Sequence, residues 1–215
     1  MRERPILFSG PMVRALLDGN KTQTRRIMKP QPKVLKNGTW YAPYAAEPTK
    51  WCYLLGDRQH GWAKCPYGSA GTELWVRETF AEVGGCDPGL PVYRANYPAC
   101  VPREYQNVPP ADEVRWRPSI HMPRRLSRIS LLITDVRVQR LQDISEEDAK
   151  AEGVEPLKSG RGYYSVEHGR VAVRFGIYHD FAKEAFAELW SHINGADSWD
   201  ANPWVWAISF SVESR

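Results

Sequence analysis

The sequence predicts a mixed α/β (α+β) fold with mostly antiparallel strands, and three patterns carry that expectation. Apolar residues alternate along Ile129–Ile133 and again along Trp204–Val212, the period of a strand with one face on a core. Ala182, Ala185, Phe186, Leu189, Trp190 and Ile193 recur at helical spacing. No internal repeat or low-complexity linker interrupts the 215 residues, so one domain spanning 1–215 is expected.

Composition sets broad bounds. At 42% hydrophobic and 25% charged residues the chain can fill one core, and nine Trp imply much flat apolar surface to bury or to use for stacking. A net charge of +4 suits a nucleoside, nucleotide or RNA partner, although many proteins share it. No run approaches the ~20 apolar residues of a membrane span and no signal peptide is readable, so a cytoplasmic protein with no membrane partner is expected. Cys52, Cys65, Cys86 and Cys100 form no CxxC pair, which points to reduced thiols and to no metal site.

Taken in order, the residues around Leu7 read as a short strand. Gly10-Pro11 opens a helix with Met12, Val13, Ala15, Leu16 and Leu17 on its apolar face, and Gly19 stops it. Lys21–Arg26 is too polar for a core strand and reads as a turn running into a strand at a surface or pocket mouth. An insertion at about 28–65 has no clear period and reads as irregular. Pro66–Gly71 is a turn, followed by a strand from Leu74 to Glu78. A second insertion, about 81–118, is rich in prolines that exclude regular structure. In the run after Ser127, Ile129, Leu131 and Ile133 share one parity, whereas Val136 and Val138 take the other. That switch predicts a bulge or sharp bend of the kind small barrels need. Ser145 then caps an acidic helix start and Gly153 ends that helix. A third insertion, about 156–176, reads as a Gly-rich mobile loop.

Two places suggest chemistry. Lys21-Thr22-Gln23-Thr24-Arg25-Arg26 gathers an ammonium, hydroxyls and guanidiniums directly after a glycine stop, though a solvated basic turn has the same composition. Glu152 stands at the negative end of its predicted helix, where a carboxylate is disfavoured by about 0.3–1 kcal/mol unless a cation answers it. A lysine facing it across a pocket would supply that cation; simple exposure would also relieve it. The five His lack ligand spacing, and serine-hydrolase elbows and phosphate-binding glycine loops are missing.

The succession Gly-Asn-Lys-Thr-Gln-Thr-Arg-Arg, a glycine turn before Leu-Trp-Val-Arg-Glu, then Asp-Ile-Ser-Glu-Glu-Asp-Ala-Lys-Ala-Glu-Gly resembles the ASCH family of PUA-like proteins, most of all its longer phage and prophage forms. Matching stretches are 4–27, 68–80, 116–154 and 199–210, in the same order. The resemblance implies a small, mostly antiparallel PUA-like β-barrel with peripheral helices. It also implies the activity of the short bacterial members, N4-acetylcytidine amidohydrolases: removal of the acyl group from an N4-acylated cytidine, without metal or other cofactor. The family's catalytic Lys, Thr and Glu fall on Lys21, Thr24 and Glu152, and Arg26 fills the last place of the Lys-Thr-x-Thr-x-Arg motif. Where members often carry Gly-Asp, this chain has Gly71-Thr72, and the insertions are foreign to the short enzymes.

On that reading Thr24 offers a hydroxyl nucleophile that needs a base. Either Lys21 and Glu152 share a proton as a coupled unit, or Glu152 is the base and charged Lys21 the oxyanion donor. Trp75 and Arg77 share a strand face beside Glu78 and could stack on and bond a pyrimidine; Trp75 could equally be core. Arg25 and Arg26 could touch ribose or phosphate, or simply be solvated. The expected partner is a small-molecule nucleoside, with RNA as the alternative. Rival functions are an RNA-binding module, a metal-independent ribonuclease and a phage accessory protein that binds a host factor.

Overall fold

The structure, a computed structural model, describes residues 3–34, 40–43, 51–54, 65–84, 89–157, 160–165 and 178–214. Its strands are β1 (Glu3–Leu7), β2 (Gln23–Ile27), β3 (Lys33–Val34), β4 (Trp40–Pro43), β5 (Trp51–Leu54), β6 (Glu73–Arg77), β7 (Phe80–Val83), β8 (Leu90–Tyr93), β9 (Ile129–Arg140), β10 (Val154–Pro156), β11 (Tyr163–Ser165) and β12 (Trp204–Ser214). The helices are α1 (Gly10–Leu17), α2 (Glu146–Ala151) and α3 (Ala182–Asn194). The fold is mixed α/β. Its main sheet has the order β1-β6-β9-β12-β2, parallel only between β1 and β6.

β9 and β12 form the spine. The pairing runs from Ser214 opposite Ile129 to Trp204 opposite Arg140, with a register shift where Phe210 faces Ile133 and Ser209 faces Asp135. Thr134 is therefore the extra residue, at the point where the apolar parity of the sequence switches. Ile129, Leu131 and Ile133 are buried before it, and Val136 and Val138 pack on the core after it. In β12 the sequence suggests one buried face, but Val205, Trp206, Ala207 and Ile208 are all buried. The strand lies between β9 and β2 and is covered on both sides.

β1 and β2 are the two edges. Among the described residues they are not paired with each other, so the sheet is open where the sequence leads one to expect a closed barrel. A side chain spans part of the gap: Arg26 Nη2 donates to the Leu7 carbonyl at 2.9 Å. Residues of both edges, Pro5 to Phe8 and Thr24 to Ile27, line one cavity.

The helices close over this opening. Ser9 caps α1, its Oγ accepting from the Met12 amide at 3.5 Å, and Met12, Val13, Ala15 and Leu16 are buried while Leu17 is exposed. Glu146 in the first turn of α2 accepts from the Ala182 and Lys183 amides at 2.7 and 3.2 Å, so α2 caps α3. The inward face of α3 carries Ala185, Phe186, Leu189 and Trp190 as predicted; Ile193 is exposed.

The insertions are more regular than their composition suggests. β3, β4 and β5 form an antiparallel sheet within 28–65. β7 and β8 form a hairpin in which Pro91 faces Glu82. A two-stranded ladder leaves alternate amides unpaired, and so tolerates a residue that lacks one. β10 and β11 pair within the expected loop; residues 166–177 lie outside the described residues. In the turn before β6, Thr72 Oγ1 accepts from the Ser69 amide at 3.1 Å. A Cβ on Gly68 would meet that hydroxyl at 2.5 Å, so the turn needs glycine there. No described helix is long and apolar enough to cross a membrane.

Candidate active site

Lys21 follows the left-handed stop at Gly19 (φ 75°), and its amide returns to the Ala15 carbonyl at 3.0 Å. Its backbone forms an isolated antiparallel bridge with Glu152, beside a 2.9 Å bond from the Thr22 amide to the Ala151 carbonyl. This bridge brings together two side chains that are far apart in the chain. Gly153, at φ 95°, turns the chain out of α2; a Cβ there would lie 3.3 Å from Ala15 Cβ and 3.5 Å from Lys21 Cβ.

The Lys21 ammonium donates to Glu152 Oε2 at 2.8 Å and to the Glu152 carbonyl at 2.7 Å, with side-chain exposures of 2% and 5% for the pair. The negative helix end that Glu152 occupies is thus answered by a buried cation. A second cation reaches the other oxygen, Arg25 Nη1 to Glu152 Oε1 at 3.1 Å. Burial pushes the Lys21 ammonium below its ordinary value of 10.5. The charge and hydrogen bond of Glu152 oppose that fall, and Arg26 and Arg25 add to it.

The segment 21–26, too polar on paper for a core strand, is buried at Lys21, Gln23, Thr24 and Arg25. Partners supplied by α2 make this tolerable. Arg25 Nη2 binds Asp148 Oδ2 at 2.8 Å and its Nη1 also donates to Gln23 Oε1 at 2.6 Å. Gln23 Nε2 in turn donates to Asp148 Oδ1 and Ser209 Oγ, both at 3.1 Å. Burial raises the Asp148 carboxyl, but the Gln23 hydrogen bond and the charges of Arg25 and Arg137 outweigh it and hold the group below its ordinary range.

Lys21, Thr24 and Glu152 all line a cavity of about 600 Å³. Its walls include Phe8, Tyr67, Phe186 and Trp190, with Arg26 and Lys29 also on the lining. Phe8 lies under two cations, 5.7 Å from Lys21 Nζ and 5.1 Å from the Arg26 guanidinium. Lys21 spends two of its three N–H groups on Glu152, and the third has no oxygen acceptor among the described residues.

Arg26 lines the same cavity, whereas Trp75, Arg77 and Glu78 are not among its lining residues. Trp75 and Arg77 do share a face, with the guanidinium 5.5 Å from the ring, but Arg77 donates to the Ile120 carbonyl and Arg124 also lies over Trp75, at 5.9 Å. Glu78, 2% exposed, is held by Arg128 Nε and Nη2 at 2.8 and 2.9 Å, and Arg128 stacks on Tyr93 at 4.0 Å. That group ties the β7–β8 hairpin to the core.

The sequence reading passed over Asp148 and Gln23, and it offered Arg25 for contact with ribose or phosphate, or for simple solvation, rather than as a partner of Glu152. Asp148 and Glu152 stand four residues apart, hence on one face of α2, and that spacing of carboxylates was the readable signal. Gln23 and Arg25 share one parity in β2, the side toward those carboxylates. The described residues contain no His, Cys, Asp and Glu grouping that could hold a metal ion. No family model, curated protein or solved structure matches the chain.

Proposed function

We propose that the chain is an amidohydrolase that removes the acyl group from an N4-acylated cytidine, and that it is a member of the ASCH family with an opened PUA-like barrel. The observation that carries the reading is a buried ammonium–carboxylate pair and a buried threonine, all three on the lining of one aromatic-walled cavity. At about 600 Å³ the cavity falls within the range of small-molecule sites.

In this reading Thr24 is the nucleophile and Lys21, in its neutral form, takes the hydroxyl proton. The Thr24 oxygen bonds to the acyl carbon and the amide C–N bond breaks. Lys21 returns the proton to the departing cytosine amine. Water then cleaves the threonine ester, releasing the carboxylic acid and restoring the hydroxyl. Glu152 serves as anchor, because each of its carboxylate oxygens is already bonded to a cation. Between the two assignments open from sequence, this favours Lys21 as the group that moves the proton. The ring of the substrate stacks against the aromatic wall from Phe8, Phe186 and Trp190.

The test is the ultraviolet spectral change of N4-acetylcytidine incubated with the purified chain. Conversion to cytidine that disappears in Lys21→Ala is expected. An unchanged spectrum together with tight, salt-sensitive RNA binding would replace this reading with the binding-module one.

A further inference from the structure

We infer that Arg25 is a positioning residue: it keeps the Glu152 carboxylate charge-balanced, so that Lys21 is free to give up its proton. The inference rests on the reading of Lys21 as the proton-moving group. Arg25 does not itself need to touch the substrate.

A lysine whose sole ionic partner is a buried carboxylate is tied to its proton, because losing it strands a negative charge in a low-dielectric interior. Here the carboxylate has a second partner that never deprotonates. Arg25 is fully buried at its side chain and meets Glu152 Oε1 at 3.1 Å and Asp148 Oδ2 at 2.8 Å. Arg137 also reaches Asp148, at 3.2 Å. Arg137 is shared with the more exposed Asp135, at 3.3 Å, so the cation that stays on Glu152 when Lys21 is neutral is Arg25. The buried Glu152 carboxylate therefore keeps a cation when the ammonium gives up its charge.

The geometry is fixed from several sides. Gln23 accepts from Arg25 Nη1 and donates to Asp148 and Ser209, and the Arg25 guanidinium lies 5.7 Å from the centre of the Phe186 ring. The charged and titratable groups around Lys21 are Arg25 and Arg26 from β2, Asp148 from α2 and Glu152 at its C-cap, and Arg137 with its partner Asp135 from β9. Lys29 and Tyr67 line the same cavity. Of these, Arg25 alone bonds both Glu152 and Asp148 among the described residues.

The experiment reads the Lys21 proton directly. The full chain is labelled with 13Cε-lysine, the Lys21 resonance is identified by its loss in Lys21→Arg, and its shift is followed with pH. In the wild type the midpoint should fall below 10.5. Arg25→Gln should raise it by about one unit or more, since Glu152 then has only Lys21 as cation. Asp148→Asn should lower it, because a nearby negative charge is removed while Arg25 remains on Glu152. Arg25→Lys should restore a midpoint near the wild type. Shifts of the same sign in Arg25→Gln and Asp148→Asn, or no shift in either, overturn the inference. If Arg25→Gln does not fold, Asp148→Asn decides alone: a fall supports the inference, and a rise or no change ends it. Opposite shifts in a protein that leaves N4-acetylcytidine intact would preserve this inference and remove the functional reading.

Discussion

Replacing Glu152 by Gln tests how far the buried pair holds the site together. A glutamine has one acceptor oxygen where the carboxylate had two, so either the Lys21 ammonium or the Arg25 guanidinium must face an N–H. Breaking a buried ion pair in this way costs about 3–5 kcal/mol. Two features place the loss at the low end, about 3 kcal/mol: Arg25 keeps Asp148 and Gln23, and Lys21 can shed its proton. For a chain of this length that corresponds to a fall in Tm of roughly 6–12 °C. Urea unfolding of the wild type, Glu152→Gln, Lys21→Met and the double variant closes a thermodynamic cycle, in which a coupling of about 1.5 kcal/mol or more is expected. The loss should also depend on pH. Lys21 titrates below 10.5 when folded, so between that lowered value and 10.5 the unfolded chain binds more protons and stability rises with pH. Removing Glu152 takes away the charge that raises the folded value, which widens this window, and the cost of Glu152→Gln shrinks as the pH is raised. A loss under about 1 kcal/mol, equal at neutral and alkaline pH and with zero coupling, would refute the argument that the pair is buried and ionic.

Four further outcomes follow from the same geometry. Thr24→Ala should abolish hydrolysis of N4-acetylcytidine with unfolding midpoints unchanged within about 1 kcal/mol; retained turnover would remove Thr24 from the nucleophile's role. Gly153→Ala forces a side chain into a positive-φ position against Ala15 and Lys21, and should cost about 1–3 kcal/mol and reduce kcat, measured by denaturation and by the spectral assay. Trp75→Leu should leave kcat/KM within about twofold, because the ring stands outside the cavity; a tenfold loss would return Trp75 to the site. Asp148 is held below its ordinary 3.8, so its contribution is present above that value and lost as the pH falls through the folded one. Acid titration of Asp148→Asn should show a shallower loss of stability over that range.

Much of the fold is legible in the order of residues because local rules act there without competition. The parity switch between Ile133 and Val136 marks the Thr134 bulge, Ser145 and Gly153 bracket α2, and the spacing of Ala182 to Trp190 defines the buried face of α3. The failures have one physical origin: burial depends on what a distant segment supplies. Gln23 and Arg25 belong to a segment that reads as too polar for a core until Asp148 and Glu152 become its partners, and β12 reads as buried on one face although Val205 to Ile208 are all buried. The β3–β5 and β10–β11 pairs escaped notice for the same reason, since short strands owe their pairing to a neighbour more than to their own pattern.

The sequence by itself determined which groups were available: an ammonium and a hydroxyl three residues apart, and a carboxylate at a helix end where it needs a cation. Tertiary structure alone decided that the ammonium and the carboxylate meet, through the backbone bridge between Lys21 and Glu152, and that Thr24 and the edges of an open sheet line a common cavity. It also placed Trp75, Arg77 and Glu78 off the lining of that cavity. The reason is the range of the forces involved. Caps, turns and periodicity are settled within a few residues, whereas the charge balance of a buried site is settled by side chains that only the folded chain brings within hydrogen-bonding distance.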